Sequence, residues 1–218
     1  MTEAKRGLFI TFEGMDGCGK TTQMRLLAQR LRAQGCQVLE TAEPGGTPIG
    51  VQIRRILLDS ANQELCPTAE LLLYFACRAQ NVQEWIMPAL REGAVVLSDR
   101  FTDSTLVYQG AARGLGEETV LALDRIACQG LVPDLTVLVD IDLETSLARA
   151  RNRELSKSET RMDEQALEFH RQARQAYCRL AQREPQRFRV IDGRPDVQTV
   201  ADAVWEAVIP LVRKLDVS

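Results

Sequence analysis

A parallel α/β fold, with one central five-stranded sheet covered by helices on both faces, is the class the sequence predicts, and three observations predict it. Short β-rich runs recur between longer helical patterns, which implies parallel pairing. Several of those runs are apolar at consecutive positions instead of alternating, as strands covered on both faces require. Between the first strand and the first helix stands GMDGCGKT, residues 14–21, which satisfies G-x-x-x-x-G-K-[ST] in the strand, loop, helix context that gives the pattern meaning.

The strands are expected at 8–12 (LFITF), 37–40 (QVLE), 94–99 (AVVLSD), 135–141 (LTVLVDI) and 187–191 (RFRVI). Helices are expected at 20–34, 48–59, 67–91, 117–129, 143–154, 161–183 and 197–215, where Leu, Ile, Val and Ala recur at three- and four-residue spacing. Gly35, Gly93 and Gly130 stand where helices should stop. With 218 residues, 45% of them hydrophobic, and no repeat, low-complexity segment or Pro/Gly/Ser-rich linker, one domain spanning 1–218 is expected.

A net charge of −3 gives no global field for a nucleic-acid polymer or an anionic membrane, so anion recognition must come from local clusters. The six cysteines are scattered without a C-x-x-C, and His170 is the only histidine, so they read as reduced, mostly buried thiols and not as zinc ligands. The start, MTEAKRGLFITF, is too short in its apolar part for a signal peptide, and no run approaches membrane-spanning length. A cytoplasmic protein is expected.

GMDGCGKT is the phosphate-binding loop of a P-loop NTP-binding fold. Its glycines Gly14, Gly17 and Gly19 permit tight positive-φ turns that aim successive N–H groups at one anion, and the helix beginning near Lys20 adds its positive end. Gly14, Met15, Asp16, Gly17, Cys18, Gly19, Lys20, Thr21 and Thr22 are the candidate ATP-binding residues. Lys20 would reach the β- and γ-phosphates, and the Thr21 hydroxyl would hold Mg²⁺. Asp99, in SDRF at the carboxyl end of the third strand, is the second candidate Mg²⁺ residue, in the region where open α/β sheets bind ligands. An N-K-x-D motif and a D-x-x-G after the third strand are missing from the places a regulatory GTPase would have them.

Several stretches are ambiguous by themselves. EPGGT, 43–47, reads as a Pro-Gly turn. Phe75 and Arg78, three apart, share a helix face. DSTLVYQG, 103–110, reads as a helix start capped by Asp103 or Ser104. His170 and Trp85 read as structural, and DGRPD, 192–196, serves equally as an adenine contact or a plain loop. In RARNRELSKSETR, 149–161, Arg149 and Arg153 share a helix face while Arg151 projects to the other side.

FEGMDGCGKTTQ, EPGGTPIGVQIRRILL, LLLYFACRAQNVQEWIMPAL, VVLSDRFTDSTLVYQG, ARGL, LVPDLTVLVDI and TRMDE follow one another in an order and spacing similar to those of the thymidylate kinases. The chain resembles that family over nearly its full length. The resemblance implies a kinase that transfers the γ-phosphoryl of ATP to dTMP with Mg²⁺, and a homodimer. Arg54, not its neighbour Arg55, would join Arg100 on the acceptor phosphate. Phe75 would stack on thymine and Arg78 would donate to a base carbonyl; Thr105 and Ser104 would address the pyrimidine edge. Gln109 would line the pocket, and Tyr108 would crowd the position of a ribose 2′-hydroxyl. Asp16 matches a family carboxylate near the acceptor's sugar and phosphate. Some relatives carry an arginine in the P-loop where this chain has Gly17. The missing charge would come from a lid over ATP, approximately 149–163, with Arg149 near adenine and Arg151 and Arg153 on the phosphates. Thr160-Arg161-Met162-Asp163 departs from the family pattern at both ends, so Arg161 and Asp163 stay unassigned. The catalytic set is therefore Lys20, Arg100, Arg151, Arg153 and Asp16. Two other readings stay open on the sequence: another nucleotide or deoxynucleoside kinase of this fold, and a non-catalytic nucleotide-binding switch.

Overall fold

The computed structural model describes the backbone of residues 6–154 and 167–216 and the side chains of 6–149 and 167–215. Five parallel strands, β1 (Leu8–Glu13), β2 (Val38–Ala42), β3 (Val95–Asp99), β4 (Leu135–Asp140) and β5 (Phe188–Asp192), form one sheet in the order β2-β3-β1-β4-β5. The three inner strands carry the consecutive apolar runs and are buried almost throughout, whereas the edge strands β2 and β5 are partly exposed. Alternate side chains feed two cores. Phe9, Val96 and Leu138 enter the core that includes Leu71 and Val120, while Ile10, Leu97 and Val139 enter the one that includes Leu27 and Val204.

The helices are α1 (Lys20–Ala33), α2 (Pro48–Leu58), α3 (Pro67–Asn81), α4 (Met87–Arg91), α5 (Thr102–Thr105), α6 (Glu117–Cys128), α7 (Leu143–Glu154), α8 (Leu167–Arg183) and α9 (Val197–Asp216). Gly35, Gly93 and Gly130 follow helices with φ of 84°, 80° and 82°. The single helix expected at 67–91 is interrupted by a π turn, Val82–Ile86, two residues ahead of Pro88. Pro88 has no N–H to give to the ladder, and the wider turn relaxes the chain before it. For the helix expected at 161–183, the described part begins at Leu167.

One local expectation is overturned. The helix at DSTLVYQG begins at Thr102, follows Phe101, and has no side-chain cap. Asp103 instead bonds Arg187 at 2.6 and 2.9 Å, and Ser104 donates to Glu13 at 2.6 Å. Buried charge partners outcompete a local cap. After α5 the chain widens into a second π segment, Leu106–Ala112, which carries Tyr108 and Gln109. The expected thiols are free: Cys18, Cys77 and Cys128 are buried, Cys36 and Cys178 half-buried, Cys66 exposed.

Candidate active site

The carboxyl ends of β1, β2 and β3 bring the chemistry-bearing loops together. After β1, the backbone turns through Gly14, Gly17 and Gly19 at φ of 137°, 79° and 97°. Gly14 also faces a close approach, since a Cβ there would lie 2.4 Å from the Val139 carbonyl oxygen. Gly19 immediately precedes α1, whose N-terminus points its free N–H groups into the loop. Lys20 is 5% exposed, and its Nζ donates to Asp16 Oδ1 and to the Met15 carbonyl, both at 3.4 Å. Those long contacts leave the ammonium available for phosphate. Thr21 Oγ1 hydrogen-bonds Asp99, so the two candidate metal residues already meet.

A cleft of about 130 Å³ opens beside this loop. Asp16 and Arg100 line it, with Arg100 Nη2 donating to Asp16 Oδ1 at 2.7 Å. Arg54 also lines the cleft, its Nη1 held by the Pro44 carbonyl at 2.6 Å. EPGGT places that carbonyl after a cis peptide between Glu43 and Pro44. Gly50 lets α2 lie against the turn, because a Cβ there would meet the Gly45 oxygen at 2.0 Å.

Arg78, Thr105, Tyr108 and Gln109 line the same cleft with Tyr74, Phe169 and His170. Arg78 is 1% exposed; Nε donates to Glu43 Oε2 at 2.5 Å and Nη2 to Thr105 Oγ1 at 2.9 Å. Its guanidinium lies 5.0 Å from the Phe75 ring centroid and 5.1 Å from that of Phe101. Its third nitrogen, Nη1, is buried and has no hydrogen-bond partner among the described residues. A buried guanidinium donor without an acceptor is costly unless a ligand supplies one. Burial pushes the Glu43 carboxyl above its ordinary range, against the pull of Arg78.

Behind Arg100 lies a second buried carboxyl that the sequence did not reveal. Glu13 Oε2 accepts from Ser104 Oγ at 2.6 Å and from Tyr177 Oη at 2.8 Å. Both hydroxyls also accept from Arg100 Nη1, at 3.0 and 3.1 Å. Burial, and after it the charge of Asp103, pushes Glu13 up to about 7, while Arg100 and the two hydroxyls pull it back. Arg100 itself has a φ of 72°, a strained value for a side chain of its size, held by its N–H to the Phe12 carbonyl at 2.9 Å.

The cleft thus unites Asp16, Arg54, Arg78, Arg100, Ser104, Thr105, Tyr108 and Gln109 as expected candidates. Phe75 is 4% exposed and is not on the wall, its ring lying 5.0 Å from the Arg78 guanidinium, while Tyr74 is on the wall itself. The Ser104 hydroxyl is committed to Glu13 and Arg100. His170, read as structural, lies on the cleft wall. Arg149 Nη1 reaches the Gly193 carbonyl at 3.4 Å, which links the expected lid to the DGRPD loop. Gly193 in turn sits close to the P-loop: a Cβ there would be 3.2 Å from the Cys18 oxygen. Within the expected lid the backbone of α7 is described to Glu154, while the side chains of Arg151 and Arg153 and all of residues 155–163 lie outside the described residues.

A family model described as thymidylate kinase matches residues 12–204. The chain belongs to the thymidylate kinase family. It is 51% identical over 206 residues to the thymidylate kinase of Pelobacter propionicus, covering 93% of this chain and 94% of that one. Identity to the thymidylate kinase of Geobacter sulfurreducens is likewise 51%, over 93% and 97% of the two chains. The crystal structure of thymidylate kinase from Ehrlichia chaffeensis superposes with a TM-score of 0.75 at 31% identity, over 93% of this chain and 98% of that one. As a member of the thymidylate kinase family the chain is a phosphotransferase that phosphorylates dTMP with ATP.

Proposed function

We propose that the chain performs this transfer with dTMP in the cleft between Arg78 and Arg100 and with ATP along the P-loop. The buried, unpartnered Nη1 of Arg78, a residue of the same cleft wall as Asp16 of the phosphate loop, is the observation that carries the assignment. In this reading Arg78 donates to thymine O4, Thr105 orients Arg78, Phe75 supports the base, Gln109 lines the pocket, and Tyr108 occupies the space a 2′-hydroxyl would need. Arg54 and Arg100 hold the acceptor phosphate, with Asp16 orienting Arg100 and Lys20. The nucleophile is a phosphate oxygen already ionised at neutral pH, so positioning and charge neutralisation replace general-base catalysis.

Gly14 through Thr22 cradle the ATP phosphates in this assignment, and the lid arginines Arg149, Arg151 and Arg153 supply the charge that Gly17 does not. Thr21 and Asp99 offer a hydroxyl and a carboxylate in contact beside the P-loop, an oxygen donor pair that suits Mg²⁺, which keeps most of its waters. When bound, Mg²⁺ would neutralise charge on the transferring phosphates. No group of three or more His, Cys, Asp or Glu side chains suited to a metal occurs among the described residues.

A homodimer belongs to the same proposal. Ile56, Leu72 and Ile126 are 47%, 51% and 74% exposed on the neighbouring helices α2, α3 and α6, an apolar face that a second copy would cover. One domain over 1–218 and a cytoplasmic location are also proposed, the first supported by a single sheet with a core on each face, the second by free thiols. Turnover measured with dTMP, dUMP, dCMP, UMP and thymidine tests the acceptor assignment: dTMP should have the highest kcat/KM, and an equal response to dCMP would overturn the role given to Arg78.

A further inference from the structure

Glu70 is fully buried near the start of α3 and is not on the cleft wall. Its Oε1 accepts Gln109 Nε2 at 2.8 Å. Arg113, from the end of the π segment, addresses both oxygens, Nε to Oε1 at 3.4 Å and Nη2 to Oε2 at 3.3 Å. A carboxylate only accepts hydrogen bonds, so the Gln109 amide has a single satisfying orientation, nitrogen toward Glu70 and oxygen away from it. The flipped amide would oppose two oxygens at a site where Gln109 is 1% exposed. No described protein group donates to Gln109 Oε1, and Gln109 lines the cleft together with Arg78.

We infer that Glu70, locked by Arg113, is a specificity-determining positioning residue that keeps Gln109 facing the base as an acceptor. The inference rests on placing the thymine ring in this cleft. Thymine and uracil present an acceptor at O4 beside a donor at N3–H; cytosine presents the reverse, an amino donor beside an acceptor nitrogen. The unpartnered Arg78 Nη1 and the oriented Gln109 oxygen complement the first pattern and oppose both groups of the second. Gln109 alone could serve either pyrimidine by turning its amide over; Glu70 removes that freedom.

Glu70→Gln tests this in the full chain, because a neutral amide can donate as well as accept and so releases the Gln109 flip. The KM for dTMP should rise about tenfold with kcat within about twofold, and the preference for dTMP over dCMP in kcat/KM should fall by about the same factor. An unchanged preference overturns the inference, as does an equal loss for both substrates, which marks a structural residue. In a Gln109→Leu background, adding Glu70→Gln should leave the preference where Gln109→Leu put it; a further full-size effect overturns action through Gln109. If Glu70→Gln fails to fold by circular dichroism, Arg113→Gln carries the test, with a fall in preference of about threefold expected and no fall overturning it. Should Gln109→Leu leave the dTMP KM unchanged, the placement of the base fails; an effect of Gln109→Leu with none from Glu70→Gln fails only the role of Glu70.

Discussion

Glu43 Oε2 receives Arg78 Nε at 2.5 Å, and neither side chain is more than 2% exposed. Asn81 Nδ2 donates to the other oxygen of Glu43 at 3.1 Å, and Thr105 accepts Arg78 Nη2. With Nε and Nη2 engaged, Nη1 is the guanidinium nitrogen left without a partner among the described residues, and the two bonds hold it in place. The ion pair fixes the orientation of the guanidinium more than it stabilises the fold, since an apolar pair of similar volume is often at least as stabilising.

Removing the arginine separates these effects. Arg78→Ala should raise the KM for dTMP at least about tenfold, the loss of a buried charged donor. It also leaves Glu43 buried without its partner, which should cost about 3 kcal/mol of stability. Steady-state kinetics and urea unfolding read the two independently, and a dTMP KM within twofold of the parent would remove Arg78 from the base site.

Phe75 poses a different question, because its ring is 4% exposed and lies 5.0 Å from the Arg78 guanidinium instead of on the cleft wall. Phe75→Leu keeps most of the core volume and discards the aromatic face. The KM for dTMP should rise about fivefold, in line with about 1 kcal/mol of lost ring interaction, while the melting temperature moves by only a few degrees. A melting shift with an unaltered KM would make Phe75 purely a core residue.

The parts of this site that follow local rules could be read in the sequence. Gly14 to Thr21 is contiguous, its backbone is dictated by its glycines, and the buried runs of β1, β3 and β4 fix where the loop sits. Lys20 and Thr21 followed from the loop motif and Asp99 from its place at a strand end, whereas Arg100 came from the family resemblance. Glu13, Tyr177, Glu70 and Arg113 followed from neither. Glu13 and Tyr177 are 164 positions apart and meet only because α8 crosses the carboxyl end of β1, so no spacing announces them. A carboxylate directly before Gly14, ending a strand whose other residues are apolar except Thr11, was the one available signal for Glu13. Asp103 and Ser104 misled for the same reason: cap chemistry is local, whereas their partners Arg187 and Glu13 are distant in sequence.

The Tyr177 hydroxyl should matter to turnover although it lies off the cleft wall. It donates to Glu13 and accepts from Arg100 Nη1, so Tyr177→Phe removes one of the supports that aim Arg100 and leaves the ring packing in place. kcat should fall about tenfold, the equivalent of about 1.4 kcal/mol of transition-state positioning, with the melting temperature little changed. Ser104 supplies the same two contacts at 2.6 and 3.0 Å, so Ser104→Ala should behave alike, and the double variant should lose less than the product of the two. Full kcat in Tyr177→Phe would show that Ser104 and Asp16 place Arg100 without the Tyr177 hydroxyl.

Glu13 makes stability depend on pH in a stated direction. Its carboxyl titrates at about 7 when folded, against an ordinary value of 4.5, because burial disfavours the charge. Between those values the folded chain holds a proton that the unfolded chain has released, so unfolding becomes easier as pH rises through this window. The contribution is present in full below about pH 4.5 and has disappeared once pH passes 7; a shift of this size corresponds to at most about 3 kcal/mol. Asp103 raises the same carboxyl further, and Arg100 with the hydroxyls of Ser104 and Tyr177 lowers it. Glu13→Gln fills the same volume with a neutral group whose oxygen can still accept the Phe101 and Ser104 N–H groups. Urea unfolding at pH 5, 6, 7 and 8 should therefore show a shallower fall in stability for Glu13→Gln than for the parent, with the two differing most in slope between pH 5 and 7. Parallel curves across that range would mean that Glu13 stays ionised, held by Arg100 and the two hydroxyls against the cost of its burial.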